Sequence, residues 1–245
     1  MGTWRQTGIN PIFVPPGCLP GHFLWSEAGR KREALMNIRE ILDDVYQDNV
    51  KQAAWGRKRT LDTSLSIDRK TAEYLYRLVL ELRPRRCIEI GMAWGFSSVP
   101  ICAALRDGSN GRSLILDPFQ RSTYGDVGRI LLGRFGLNRW ARFVPERSDV
   151  HLPKLFARGH ETDFGFIDGD HRADATFVDF YYINKMLRVG GHLVFDDFQF
   201  ASVRSVVQYA LKTFHYVSVA QDNKRLAVLR RTGADDRGWG AYGEL

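Results

Sequence analysis

Four short stretches of the 245-residue chain gather residue types that do chemistry. The first, Glu89-Ile90-Gly91-Met92-Ala93-Trp94-Gly95-Phe96-Ser97, lies where an apolar β-rich run gives way to a helical pattern. Glycines at such a junction permit a tight turn and a close backbone approach to a ligand, and the helix start offers free N–H groups. The second, Asp117-Pro118-Phe119, follows the next apolar run. A carboxylate there can accept hydrogen bonds from both hydroxyls of a ribose, while Asp before Pro is also an ordinary turn starter, and both readings stand. The third is Ile167-Asp168-Gly169-Asp170-His171 and the fourth runs from Gly190-Gly191 to Asp196-Asp197.

If the third and fourth stretches end neighbouring parallel strands, Asp168, Asp196 and Asp197 converge on one rim of the sheet. Three carboxylates packed together repel unless a cation or protons compensate, and oxygen-only ligands favour a hard divalent ion, most simply Mg²⁺. The competing reading makes these aspartates helix caps at strand ends. His171 follows Asp168 by three positions, and its ordinary pKa suits proton transfer near neutrality, so it is the candidate general base, with Asp170 as a possible assistant; the alternative is a structural residue at a helix start.

The elements that must position these groups are legible in the periodicity. Cys87–Ile90, Ser113–Leu116, Arg142–Val144, Phe164–Ile167 and His192–Phe195 are short β-rich runs separated by helix-length segments, which predicts a parallel sheet covered on both faces. Apolar residues at helical spacing predict helices from Lys31 to Gln52, from Asp68, as cap, to Pro84, from Ala173 to Leu187 and from Val203 to Thr213. The runs His215–Val219 and Arg225–Leu229 are too close for a crossover helix and must form an antiparallel hairpin. Residues 1–28 are rich in Pro, Gly and aromatic rings and read as an irregular arm.

Composition narrows the function classes. With 44% hydrophobic and 26% charged residues, the chain reads as a soluble globular α/β protein, without the roughly 20-residue apolar stretch of a spanning helix or a signal-peptide core. Three cysteines, Cys18, Cys87 and Cys102, are too few and scattered for a disulfide framework, and the expected compartment is the cytoplasm. The net charge is +7, and residues 1–86, with 15 Lys and Arg against 10 Asp and Glu, hold most of the excess. The basic runs are short and lack interleaved aromatics, so a nucleic-acid partner is not favoured, nor is a membrane.

The glycine loop, with its E-x-G-x-x-x-G pattern, resembles the cofactor loop of class I S-adenosylmethionine-dependent methyltransferases. The D-G-x-H and G-G-x-x-x-x-D-D stretches are similar to those of the bacterial small-molecule and sugar O-methyltransferases related to the catechol and caffeoyl-CoA enzymes. The resemblance covers about residues 66–231. It implies a Rossmann-like α/β fold with a mostly parallel seven-stranded sheet ending in an antiparallel hairpin, preceded by an N-terminal helical extension. It places Glu89, Gly91, Met92, Ala93, Gly95, Ser97, Asp117, Pro118, Phe119, Ser148, Asp149 and Asp168 around S-adenosylmethionine. It also implies a divalent ion on Asp168, Asp196 and Asp197 that binds the acceptor. Plant and animal members usually carry Asn where this chain has Asp197 and Lys where it has His171, so the catechol-like acceptor does not carry over.

The expected organisation is an arm and helical lid or dimerisation extension over 1–65, a methyltransferase domain over 66–231 and a tail over 232–245. The expected function is metal-assisted methyl transfer to a hydroxyl of a small metabolite, in a homodimer or higher oligomer. Two other readings remain: a metal-independent methyltransferase, and a non-catalytic cofactor-binding or assembly module.

Overall fold

The computed structural model describes residues 36–46 and 66–238. Apart from 36–46, the expected N-terminal extension lies outside the described residues, as does the tail beyond residue 238.

The described residues form a seven-stranded sheet flanked by helices. In chain order the strands are β1 (Arg86–Ile90), β2 (Arg112–Leu116), β3 (Ala141–Val144), β4 (Thr162–Ile167), β5 (Leu187–Phe195), β6 (Tyr216–Ser218) and β7 (Ala227–Arg231), and in space they run β3-β2-β1-β4-β5-β7-β6. Strands β1 to β5 pair in parallel, and β7 is antiparallel to both β5 and β6. The expected hairpin is present, with β7 inserted between β5 and β6. Its second strand begins at Ala227 because Arg225 and Leu226 are still in the turn, where Leu226 N–H donates to Asn223 O.

The helices are α1 (Ile38–Tyr46), α2 (Arg69–Leu82), α3 (Ser98–Asp107), α4 (Val127–Arg134), α5 (Ser148–Ala157), α6 (Ala173–Met186) and α7 (Ala201–Thr213). Asp68 caps α2 as its position suggested, its side chain accepting from Thr71 N–H at 2.8 Å. The helix stops at Arg83, whose φ of 50° is left-handed, immediately before Pro84.

Strand alternation sorts the apolar residues into two cores. Cys87, Ile115, Phe164, Phe166 and Val194 join α1 to α4 on one face, while Ile88, Ile90, Leu114, Leu116, Ile167, Leu193 and Phe195 join α5 to α7 on the other. Burial on both faces leaves the strand ends as the place for polar groups. The chain leaves β1 for β2 on one side and reaches β4 on the other, so the sheet order reverses there and opens a crevice at the C-terminal ends of the strands.

Candidate active site

The glycine loop connects β1 to α3 where β1, β2 and β4 end together. Gly91 has φ +85°, and a Cβ placed on it would lie 1.9 Å from the Asp168 carbonyl oxygen. No side chain fits. Gly95, at φ +86°, faces the α4 backbone, where a Cβ would come within 2.8 Å of Gly128 Cα. Between them Ala93 adopts φ +44° without being glycine, a conformation that costs free energy unless its surroundings hold it.

Asp117 does the holding. Its Oδ2 accepts from Met92 N–H at 3.2 Å, Ala93 N–H at 2.9 Å and Gln120 Nε2 at 2.9 Å, while Oδ1 accepts from Phe119 N–H at 2.7 Å. Each carboxylate oxygen has two lone pairs, so Oδ1, with a single donor, can accept one more hydrogen bond. Gln120 closes the arrangement by donating to Ala93 O at 2.6 Å, a role that its polar type at that position did not disclose.

Glu89 works beneath the loop. It is fully buried on the α3 face of β1, where its Oε1 accepts from the hydroxyls of Ser97 at 2.7 Å and Ser98 at 2.9 Å, fastening the start of α3 to the strand. Burial pushes its pKa up to about 7 against the pull of those two hydroxyls. Met92 is buried too, its side chain filling the space over Gly128.

Above the loop opens a cavity of about 470 Å³. Of the twelve residues expected around a cofactor, Gly91, Ala93, Asp117, Pro118, Phe119, Ser148, Asp149 and Asp168 line it. Glu89, Met92, Gly95 and Ser97 instead shape the loop from behind. The lining also includes Tyr124, Arg147, Arg172, Val178 and Asp179, which motif spacing did not single out. Asp149 is turned onto Arg147, with oxygens 2.9 and 2.8 Å from its Nε and Nη2.

Asp168 joins this cavity to a second group of polar residues. Its Oδ1 lies 3.6 Å from His171 Nε2, which is 2.7 Å from Asp197 Oδ2. Neither contact is aligned as a hydrogen bond, so the His171 Nε2 is left without a directed partner. One ligand atom from each of Asp168, His171 and Asp197 falls within 4.8 Å of the others. Gln199 Nε2 donates to Asp197 Oδ1 at 2.6 Å, and Phe200 meets the His171 ring edge to face at 5.4 Å. Asp197 has φ +52°, a left-handed conformation that Asp tolerates better than most residues and that turns the chain at the strand end.

Asp196 stands apart from this set. Its side chain is completely buried, and both oxygens are taken by Arg225, at 2.7 Å from Nε and 2.6 Å from Nη2. Arg225 Nη2 also lies 3.1 Å from Asp197 Oδ1. Asp170, expected as a helper of His171, accepts from Arg172 instead, through its backbone N–H and Nε.

The electrostatics follow from this geometry. Two unit charges about 4 Å apart at an effective dielectric constant of about 20 interact by roughly 4 kcal/mol, so three carboxylates demand cations. Arg225 supplies one and a protonated His171 another. Contacts with Asp168 and then Asp197 raise the His171 pKa to about 10 against its partial burial. Asp168 is pushed well above the carboxylate range, first by desolvation and then by Asp196. Burial also raises Asp197, but His171, Arg225 and Gln199 outweigh it and bring that carboxyl below its ordinary value. Asp168 is thus the undercompensated acid. The oxygens of Asp168 and Asp197 fit a hard divalent ion, whereas Asp196 in its present pairing offers one nothing.

Residues 88–198 match the family of methyltransferase domains. Tricin synthase 1 of Oryza sativa subsp. japonica is 30% identical over 133 residues, a match covering 51% of this chain and 50% of that protein. The chain therefore matches about half the length of that curated relative. Among solved structures, the O-methyltransferase TomG from Streptomyces achromogenes, involved in tomaymycin synthesis and in complex with SAM, superposes with a TM-score of 0.62 at 20% identity, covering 81% of this chain and 92% of that one. The O-methyltransferase from Bacillus cereus in complex with SAH gives a TM-score of 0.59 at 17% identity, over 74% and 96% of the two chains. At these identities the two structures establish the fold, which is that of the Rossmann-like methyltransferases.

Proposed function

We propose that this chain is an S-adenosylmethionine-dependent O-methyltransferase that methylates a hydroxyl of a small metabolite or natural product, assisted by a divalent ion. One observation carries the reading: Asp168 lines the cavity over the glycine loop and, at the same time, reaches His171 at the rim. A methyl donor held in the cavity would meet its acceptor there. Support for the cofactor comes from the cavity's position at the reversal of sheet order, from Asp117 and its spare acceptor capacity, and from the cofactors named for the two solved relatives.

The methyl group of a sulfonium is already activated, so this chain must align the acceptor oxygen with the S–CH₃ bond and remove its proton. Asp168 and Asp197 would hold the ion, most simply Mg²⁺, which accepts one or two carboxylates and keeps its other positions for water or substrate. When bound, a divalent ion lowers the pKa of a hydroxyl that it contacts. Asp168 and Asp197 cannot serve both an ion and an imidazolium. An ion on those carboxylates would take away the contacts that raise the His171 pKa, and His171 would then be free as neutral imidazole to accept the proton of the acceptor hydroxyl. Cys87 and Cys102 are buried free thiols, which supports a reducing compartment such as the cytoplasm.

The Arg225 and His171 pairings favour a second reading, in which these two cations already balance the carboxylates and transfer needs no metal. Labelled-methyl transfer from S-adenosylmethionine to a panel of vicinal diols, with Mg²⁺ and with a chelator, separates the two. Transfer that chelation abolishes, with S-adenosylhomocysteine affinity unchanged, is the expected result. Full transfer in chelator overturns metal assistance.

A further inference from the structure

The end of the sheet away from the cavity carries arginine on three neighbouring strands. Arg86 opens β1 and Arg112 opens β2, and the register places the two side by side. On β3, Arg142 lies opposite Leu114. Side chains two apart on a strand share a face, so Arg86 goes with Ile88 and Arg112 with Leu114, and all three arginines stand on the α5–α7 side. Neighbouring strands are about 4.8 Å apart, and like charges placed opposite one another destabilise a sheet. Glu161 answers Arg86 at 2.9 Å. Arg112 and Arg142 are exposed and have no acidic partner among the described residues. His160 lies in the same field: burial first, and then the charges of Arg86 and Arg142, lower its pKa against the pull of Glu161.

The turn that ends α5 joins this cluster to a group of exposed rings. Gly159 N–H donates to Phe156 O at 2.9 Å and His160 N–H to Leu155 O at 3.1 Å. The Phe156 ring is 45% exposed and lies 6.3 Å from the ring of Tyr182 on α6, which meets Tyr181, 51% exposed, at 5.1 Å. Scattered apolar side chains on a surface are ordinary, whereas linked rings beside arginines are the combination enriched where proteins dock.

Charge decides which partner fits. In a two-fold contact a second copy would present the same patch, with Glu161 as the acid available to both sets of arginines. A row of stacked bases needs open ring faces. Here Lys185 Nζ stands 5.7 Å from the Tyr181 centroid, and Tyr181 and Tyr182 meet edge to face. Carboxylates, in contrast, match the fork of a guanidinium. We propose that this face, formed by the starts of β1 to β3 with α5 and α6, docks an acidic protein whose carboxylates meet Arg86, Arg112 and Arg142 while an apolar side chain rests on Phe156 and Tyr181. The cavity over the glycine loop lies at the other ends of the same strands, so a docked partner leaves it open.

The test is fluorescence anisotropy of a labelled copolymer of Glu and Tyr, in about a 4:1 ratio, titrated with the full chain at about 0.15 M salt, where the Debye length is about 8 Å. Saturable binding is expected, weakened about tenfold or more by Arg112→Glu with Arg142→Glu, since each reversal turns an attraction into a repulsion. Arg112→Gln with Arg142→Gln should fall between wild type and the reversal, and it carries the test if circular dichroism shows the reversed pair unfolded. Phe156→Ser with Tyr181→Ser should weaken binding about three- to tenfold. The same charge change on α2 and the hairpin turn, Arg77→Glu with Lys224→Glu, should cost about threefold or less, because those sites lie beyond the screening length. No binding by wild type, or equal losses in the two reversed pairs, overturns the proposal, the second because net charge alone would account for it. Tighter binding of a short single-stranded RNA through the same arginines would assign the face to nucleic acid. A dimer in sedimentation that Phe156→Ser with Tyr181→Ser dissociates would assign it to a second copy, and either result overturns the acidic partner.

Discussion

Asp168 serves two neighbourhoods, and the chemistry proposed for the chain depends on that double membership. It contributes its side chain to the cavity wall and an oxygen to the group of His171 and Asp197, while its backbone carbonyl sets the limit on Gly91. His171→Ala should leave S-adenosylhomocysteine affinity unchanged and lower turnover by about a hundred- to ten-thousandfold, the range for a lost general base, with partial recovery at raised pH. Steady-state rates alongside calorimetry check this; wild-type turnover in the variant would remove His171 from the chemistry. Arg225 has a different role. Its removal strands the buried Asp196 charge, so Arg225→Met should cost about 3 kcal/mol of stability, and adding Asp196→Asn should recover much of it, because the cost is that of an unpaired charge. Denaturant unfolding of the two single variants and the double variant measures the coupling; additive losses would contradict it. The motifs disclosed the three aspartates but not their division of labour. Adjacent residues at a strand end face different ways, so spacing alone did not show that Asp197 joins His171 while Asp196 turns to an arginine from the hairpin 29 positions later.

At the scale of elements, the junction of β1 with α3 carries the account. The glycine loop was legible because only glycine fits where strand and loop backbones nearly touch, and its sequence pattern records that constraint. Glu89 belongs to the same junction, as the buried anchor of the helix start. Its folded pKa of about 7 stands above its ordinary 4.5, so between those values the folded chain holds a proton that the unfolded chain has lost. Stability from this group is full below about pH 4.5 and falls as pH rises toward 7. Glu89→Gln should therefore gain on wild type across that interval, seen as thermal midpoints that diverge with rising pH; parallel curves would mean that Glu89 is ionised in the fold throughout. Asp179 was readable only in retrospect: an acid in an apolar helical stripe marks a cavity wall, but the stripe alone does not say which cavity. The hairpin was expected from its short connection, whereas insertion of β7 beside β5 depends on long-range pairing that no local pattern encodes.

At the scale of the molecule, the described residues form a mostly parallel sheet whose buried strands deliver their polar residues to one edge. Alternating β-rich runs and helical segments were enough to predict that architecture, and the strand endings in Gly91, Asp117 and Asp168 pointed to residues that line one cavity. The contributions of Tyr124, Gln120 and Arg225 come from loops, whose paths follow from packing rather than periodicity. The claim on which everything else depends is that the cavity over the glycine loop takes the methyl donor. Titrating the intact chain and its Asp117→Ala variant with S-adenosylhomocysteine in a calorimeter tests it directly. The account predicts saturable binding of one ligand per chain and, in a variant that remains folded, affinity reduced by about tenfold or more through loss of the carboxylate that both holds the loop and faces the ribose. Absence of binding to the wild-type chain, or equal affinity in the two proteins, would contradict it.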